Sequence, residues 1–156
     1  MPHLATYVGL VDHSEKTLAD SLRVVAKAQA QHADVFHTCN TLATMSDRHR
    51  ALLEPIVQRY GEESGGEAAE PERLHAAGLA EARTGALGLL RDLQDLQVLA
   101  SLVQTSWTVV LQGAQGLRDR ELLELAEKAG KDTARQLSWL NTMMKATAPQ
   151  ALIVAS

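Results

Sequence analysis

The feature that most constrains the fold is a four-three spacing of side chains, mostly apolar, sustained through four long stretches. In the second stretch it runs Val35, Cys39, Leu42, Ser46, His49, Leu53, Ile56 and Tyr60. Residues at these intervals share one stripe of an α-helix, whereas a half-buried strand needs alternation by two. The first stretch reads Leu4, Val8, Val11, Glu15, Leu18, Leu22, Val25 and Gln29. The third reads Ala86, Leu90, Leu93, Gln97, Ala100, Gln104, Trp107 and Leu111, with a second apolar face through Leu89, Leu96, Leu99, Val103 and Val110. It is therefore expected to be the most buried. The fourth reads Leu123, Ala126, Gly130, Thr133, Leu137, Leu140 and Met144. Composition agrees: only 3% of the 156 residues are aromatic, too few for a large sandwich or barrel. The single cysteine, Cys39, excludes a disulfide scaffold and a cysteine-built zinc site.

The breaks between stretches set the boundaries. The first helix is expected from about His3 to Gln31. Asp12 with Glu15 also fits a capping box that would open a shorter helix, but one continuous helix is the preferred reading. Asp34 is placed as N-cap of a second helix from about Val35 to Tyr60, with a kink or break at Pro55 and a stop at Gly61. A solvated acidic loop, 61–71, follows, then a short helix over Glu72–Arg83 that ends near Thr84. The third helix runs to about Gln112, and Gly113 and Gly116 mark the next turn. The fourth spans about Leu117–Ala146 and is stopped by Pro149. The apolar tail 149–156 either docks on the bundle or binds a partner in extended form.

Two turns and one long middle connection make two antiparallel helical hairpins joined by a crossover, one of the standard four-helix topologies. The expectation is thus an all-α four-helix bundle over 1–148, with a tail over 149–156.

The net charge of −4 argues against a polyanion partner, so no nucleic acid is expected. Its acidity is also local. Glu62, Glu63, Glu67, Glu70 and Glu72 account for five of the 19 acidic residues, leaving 14 against 15 basic ones. No run approaches a membrane span, and Met1-Pro2-His3-Leu4 carries no basic, signal-like start. The expected place is the cytoplasm, with no membrane partner.

With this topology the chain resembles the ferritin-like superfamily. That resemblance implies a di-metal centre at mid-bundle, with carboxylates from the first and third helices and a Glu-x-x-His pair from the second and fourth. Compared position by position, the second helix offers Ser46-Asp47-Arg48-His49, which keeps only the histidine. The fourth offers Thr133-Ala134-Arg135-Gln136, which keeps neither ligand. The third places the amides Gln97 and Gln104 on its seam, and the first places Glu15 there. One His and one Glu are too few for two iron ions, so the resemblance supplies the fold and not the oxidase.

Two readings of these residues remain. Ser46, Gln97, Gln104, Thr133, Gln136, Glu15 and His49 can satisfy one another as a buried polar layer that fixes helix register. Alternatively Glu15 and His49 hold a single metal ion or a small polar ligand. His32, His37 and Cys39 gather near the first turn, but the two histidines straddle a break and read as exposed side chains. Cys39 reads as a small core residue, and Trp107 and Trp139 as core or interface residues. No nucleotide-binding or hydrolase motif is present. The functional expectation is a non-catalytic bundle used for assembly or partner binding. It would form a homo-oligomer, a dimer, or take a protein partner, through helix faces or the C-terminal tail. No cofactor is expected beyond the single metal ion of the second reading.

Overall fold

The structure, a computed structural model, describes residues 2–63 and 77–154. It is an all-α four-helix bundle. Helix α1 spans Pro2–Ala28, α2 Ala33–Glu63, α3 Gly85–Leu117 and α4 Arg120–Pro149, and a π-helical turn follows over Gln150–Val154. The directions of the helices follow from what meets at each end. At one end Arg59 and Tyr60, late in α2, bind Asp119 at the start of α4. There a Cβ on Gly113, late in α3, would lie 3.0 Å from Leu4 Cδ1, at the start of α1. At the other end, Ala28–Val35 encloses an open cavity of about 690 Å³ with Ala82–Ala86 and Met143–Gln150. So α1 and α4 point one way and α2 and α3 the other. Helix α1 packs on α2 and α3, and α4 packs on α3 and α2.

The connection from α2 to α3 therefore has to travel the length of the bundle, as expected. Its described part, 77–84, lies across the middle of α1, where the Leu79 backbone N–H donates to Ser21 Oγ at 3.0 Å. Arg83 then fastens the strap to α3. Its backbone N–H donates to Asp92 Oδ2 at 3.0 Å, and its guanidinium donates to Asp92 at 2.7 Å and Asp95 at 2.8 Å. Contrary to expectation, α1 and not α3 is the more deeply buried helix. Twelve of the 27 residues of α1 are buried, against twelve of 33 in α3.

Several expected boundaries are corrected. Residues 77–83 are not helical; the rest of the expected short helix, and most of the acidic loop, lie outside the described residues. Helix α2 begins at Ala33, so Asp34 sits in its first turn, where a negative charge favours the helix dipole, rather than at the cap. It also runs through Pro55 and Gly61 to Glu63. Pro55 is exposed while Leu53, Ile56 and Tyr60 are buried, so the missing hydrogen bond falls on the solvent side, and packing holds both flanks. Helix α3 continues through Gly113 and Gly116. The turn falls instead at Arg118, in the left-handed region at φ 60°, and at Asp119, whose side chain caps α4 by accepting from the Leu122 N–H. Gly113 is a site of close approach to Leu4 rather than a turn. Helix α4 does end at Pro149, as expected. It runs three residues past the expected Ala146, and the chain continues as a π turn over Gln150–Val154 with Ala151 buried.

Candidate functional site

Halfway along the bundle, each helix contributes one polar side chain to a single hydrogen-bonded layer. Glu15 comes from α1, His49 from α2, Trp107 from α3 and Asp132 from α4. His49 Nδ1 lies 2.5 Å from Glu15 Oε2, and His49 Nε2 lies 2.8 Å from Asp132 Oδ2. The indole Nε1–H of Trp107 donates to the same Glu15 oxygen at 3.0 Å. Trp107 also stands edge-on to the imidazole, with ring centroids 6.3 Å apart. Glu15 and His49 are fully buried, Trp107 nearly so, and the Asp132 side chain is 16% exposed.

The ring's protonation follows from this geometry. A neutral imidazole has one N–H and can donate to only one of the two carboxylates; an imidazolium donates to both. Burial works against that charge, but the hydrogen bonds and charges of Glu15 and then Asp132 outweigh it. The net effect raises the pKa of His49 above its usual 6.5.

One helical turn away lies a second polar contact. Gln136 follows Asp132 by four residues and Ser46 precedes His49 by three, so each shares a face with its neighbour. Gln136 Nε2 donates to Ser46 Oγ at 3.0 Å and to the Leu42 carbonyl at 2.9 Å. Thr133 is buried but bonds to its own helix, at the Ala129 carbonyl. Gln97 and Gln104 are half-buried on α3, and neither hydrogen-bonds to the Glu15–His49 pair. The structure thus joins Glu15 to His49 and Ser46 to Gln136, and leaves Thr133, Gln97 and Gln104 outside both contacts. Glu15 Oε1, Gln97 Oε1 and Gln136 Oε1 are buried without a hydrogen-bond partner.

Sequence reasoning missed Asp132 and the role of Trp107. The buried residues of α4 are Leu122, Leu125, Ala126, Ala129, Thr133, Gln136 and Leu140, so Ala126, Thr133 and Leu140 of the expected stripe do face inward while the centre of the buried face lies slightly to its Leu122–Leu125–Ala129 side. That shift brings Asp132 inward and leaves Leu123, Leu137 and Met144 at the flanks.

The donor set does not fit a di-metal centre. Glu15 and Asp132 sit on opposite edges of the imidazole, so they share no point that a metal ion would occupy. Among the described residues no group of three or more His, Cys, Asp or Glu side chains is placed to hold one. His32 and His37 are exposed, and burial pushes the Cys39 thiol up to about 12, which removes it as a nucleophile or ready thiolate. Among the described residues no helix is long and apolar enough to cross a membrane.

Compared with known proteins, the chain matches no family model, no curated protein and no solved structure.

Proposed function

We propose that this protein is a non-catalytic, ferritin-like helical bundle that serves as an assembly or partner-binding module. The observation behind this reading is the closure of the mid-bundle layer. Both nitrogens of His49 are engaged by carboxylates, and a tryptophan, which ligates no metal, stands on α3 at that level. Such a layer fixes the register of four helices without offering a substrate an entrance or a metal an open position. The test is to incubate the full-length protein with Fe(II), Mn(II) or Zn(II), desalt it and measure bound metal. In parallel, Fe(II) oxidation is followed by absorbance. Substoichiometric metal and oxidation no faster than in buffer are expected. One equivalent or more, lost in His49→Leu, would overturn the reading.

A second reading has one observation in its favour. Glu15 Oε1 is a buried acceptor with no partner. If the Glu15–His49 bond opened, that carboxylate and Nδ1 would face one another as two ligands for a single metal ion. The same metal titration decides between the two.

A further inference from the structure

His49 reaches carboxylates on two different helices, one from each ring nitrogen. Nδ1 faces Glu15 of α1, and Nε2 faces Asp132 of α4. Both bonds stand together only while the ring carries both protons. A neutral ring keeps one N–H, and its bare nitrogen turns a lone pair toward the other carboxylate. One of the two carboxylates must then let go.

The two are not equivalent. Glu15 is fully buried, and its Oε2 also accepts from the Trp107 indole N–H at 3.0 Å. Parted from the ring, it would be a buried charge with no water to turn to, which is a costly state. The Asp132 side chain is 16% exposed and already borders solvent. Lys128 and Arg135 are exposed on α4, four residues before it and three after, the spacings at which opposite charges meet on a helix. Asp132 therefore has water and two cations to turn to.

The surroundings of the ring leave the choice to this pair. Glu15 and Asp132 are the charged groups that act on it. From α3 it meets only the uncharged Trp107, because α3 carries no charged residue between Asp95 and Arg118. On α2 itself, Arg48 is exposed, and Arg50 donates to Asp12 of α1 at 3.1 Å.

We infer that His49 is a proton-operated clasp between α2 and α4: when the ring loses its proton, it keeps Nδ1–H on Glu15 and releases Asp132. Helices α1, α2 and α3 stay joined through Glu15, while α4 loosens at Asp132. On one side of the released position, Asp119 still holds Arg59 and Tyr60. On the other, Gln136 still holds Ser46 and the Leu42 carbonyl. The opening is therefore local and the bundle stays folded. Both carboxylates favour the charged ring, so the release comes above the usual 6.5 of histidine. The inference rests on the closed, metal-free layer proposed above and adds a state in which that layer opens.

The test uses the full-length protein with ¹⁵N-labelled histidine, dialysed against a chelator. Ring-nitrogen NMR is followed as pH rises from 6.5. Both nitrogens of His49 should carry protons at first, and Nδ1 alone at high pH. A neutral ring protonated at Nε2 would overturn the clasp, because Asp132 would then be the partner that is kept. This readout is taken on the wild-type chain, so it does not depend on any variant folding. Native-state hydrogen exchange, corrected for the intrinsic pH dependence of amide exchange, locates the opening. Amides around Asp132 should lose about tenfold in protection across the transition, while those around Glu15 keep theirs. Asp132→Asn supplies an amide that can donate to the bare Nε2, so in that variant the same amides should stay protected throughout. Equal losses in all four helices would overturn the local opening and leave the closed layer standing. The metal titration judges the closed layer separately.

Discussion

Trp107 and Glu15 stand 92 residues apart in sequence and are joined by a hydrogen bond of 3.0 Å from the indole N–H to the carboxylate. This bond ties α1 to α3 in the layer where His49 ties α2 to α1 and α4. Trp107→Phe keeps most of the buried ring and deletes the donor. Glu15 Oε2 then keeps only His49, and its Oε1 already lacks a partner. The expected cost is about 1–3 kcal/mol, the usual penalty when a buried acceptor loses its donor. Urea unfolding followed by circular dichroism measures it. Trp139→Phe, at a half-buried position, should cost less. Equal costs would mean that ring packing, not the N–H, is what Trp107 supplies.

His49 should give the protein a pH-dependent stability. In the unfolded chain its ring loses its proton near pH 6.5, and in the folded one at higher pH because of Glu15 and Asp132. Between those values the folded state holds a proton that the unfolded state has released. The layer's contribution is therefore complete below about pH 6.5 and falls away as pH rises through the folded value. Melting temperature should decline as pH rises above about 6.5, and His49→Gln should flatten that decline. An unchanged slope in the variant would show that the proton is held elsewhere.

How much of this was legible in the sequence depends on how unambiguous each stripe is. All eight seam positions read in α2 are buried, and the facing of Glu15 and His49 followed from their similar distances to the first turn. In α4 two neighbouring stripes are both apolar. One passes through Leu122, Leu125 and Ala129, the other through Leu123, Gly130 and Leu137, so hydrophobicity alone does not choose between them. The choice is made by what α4 packs against, which is a tertiary fact, and Asp132 went unseen with it. The glycines were misread for a related reason. Gly113 lies where Leu4 approaches α3, and nothing local distinguishes such a glycine from a turn. Trp107 sat on the predicted seam, yet its partner lies on another helix, beyond the reach of periodicity.

Asp119 should anchor one end of the bundle and act at the opposite end of the pH scale. Its carboxylate accepts from Tyr60 O–H at 2.6 Å, from Arg59 at 2.8 Å and from the Leu122 backbone N–H at 3.2 Å. Burial alone would raise its pKa, but these three donors outweigh that and hold it below the usual 3.8. Its contribution is therefore present above pH 3.8 and lost as pH falls through the lower, folded value. Asp119→Ala removes a helix cap and leaves the buried Tyr60 with no acceptor there, for an expected loss of about 2 kcal/mol. Arg59→Ala should lose under about 1 kcal/mol, because that side chain is 40% exposed. Denaturant midpoints of the two variants at neutral pH provide the comparison.

Two glycines inside helices should respond oppositely to alanine. At Gly130 in α4 an added Cβ meets nothing within 4 Å. Gly130→Ala should therefore stabilise by about 0.5–1 kcal/mol, through the lower chain entropy and better helix propensity of alanine. At Gly113 in α3 the same gain is opposed by Leu4 Cδ1, 3.0 Å from the new Cβ, so Leu4 must move where α1 begins. Gly113→Ala should be neutral or destabilising. In a Leu4→Ala background the obstacle is gone, and Gly113→Ala should become stabilising by about the amount seen at Gly130. Coupling near zero between the two positions would mean that Gly113 serves something other than the approach of α1 to α3.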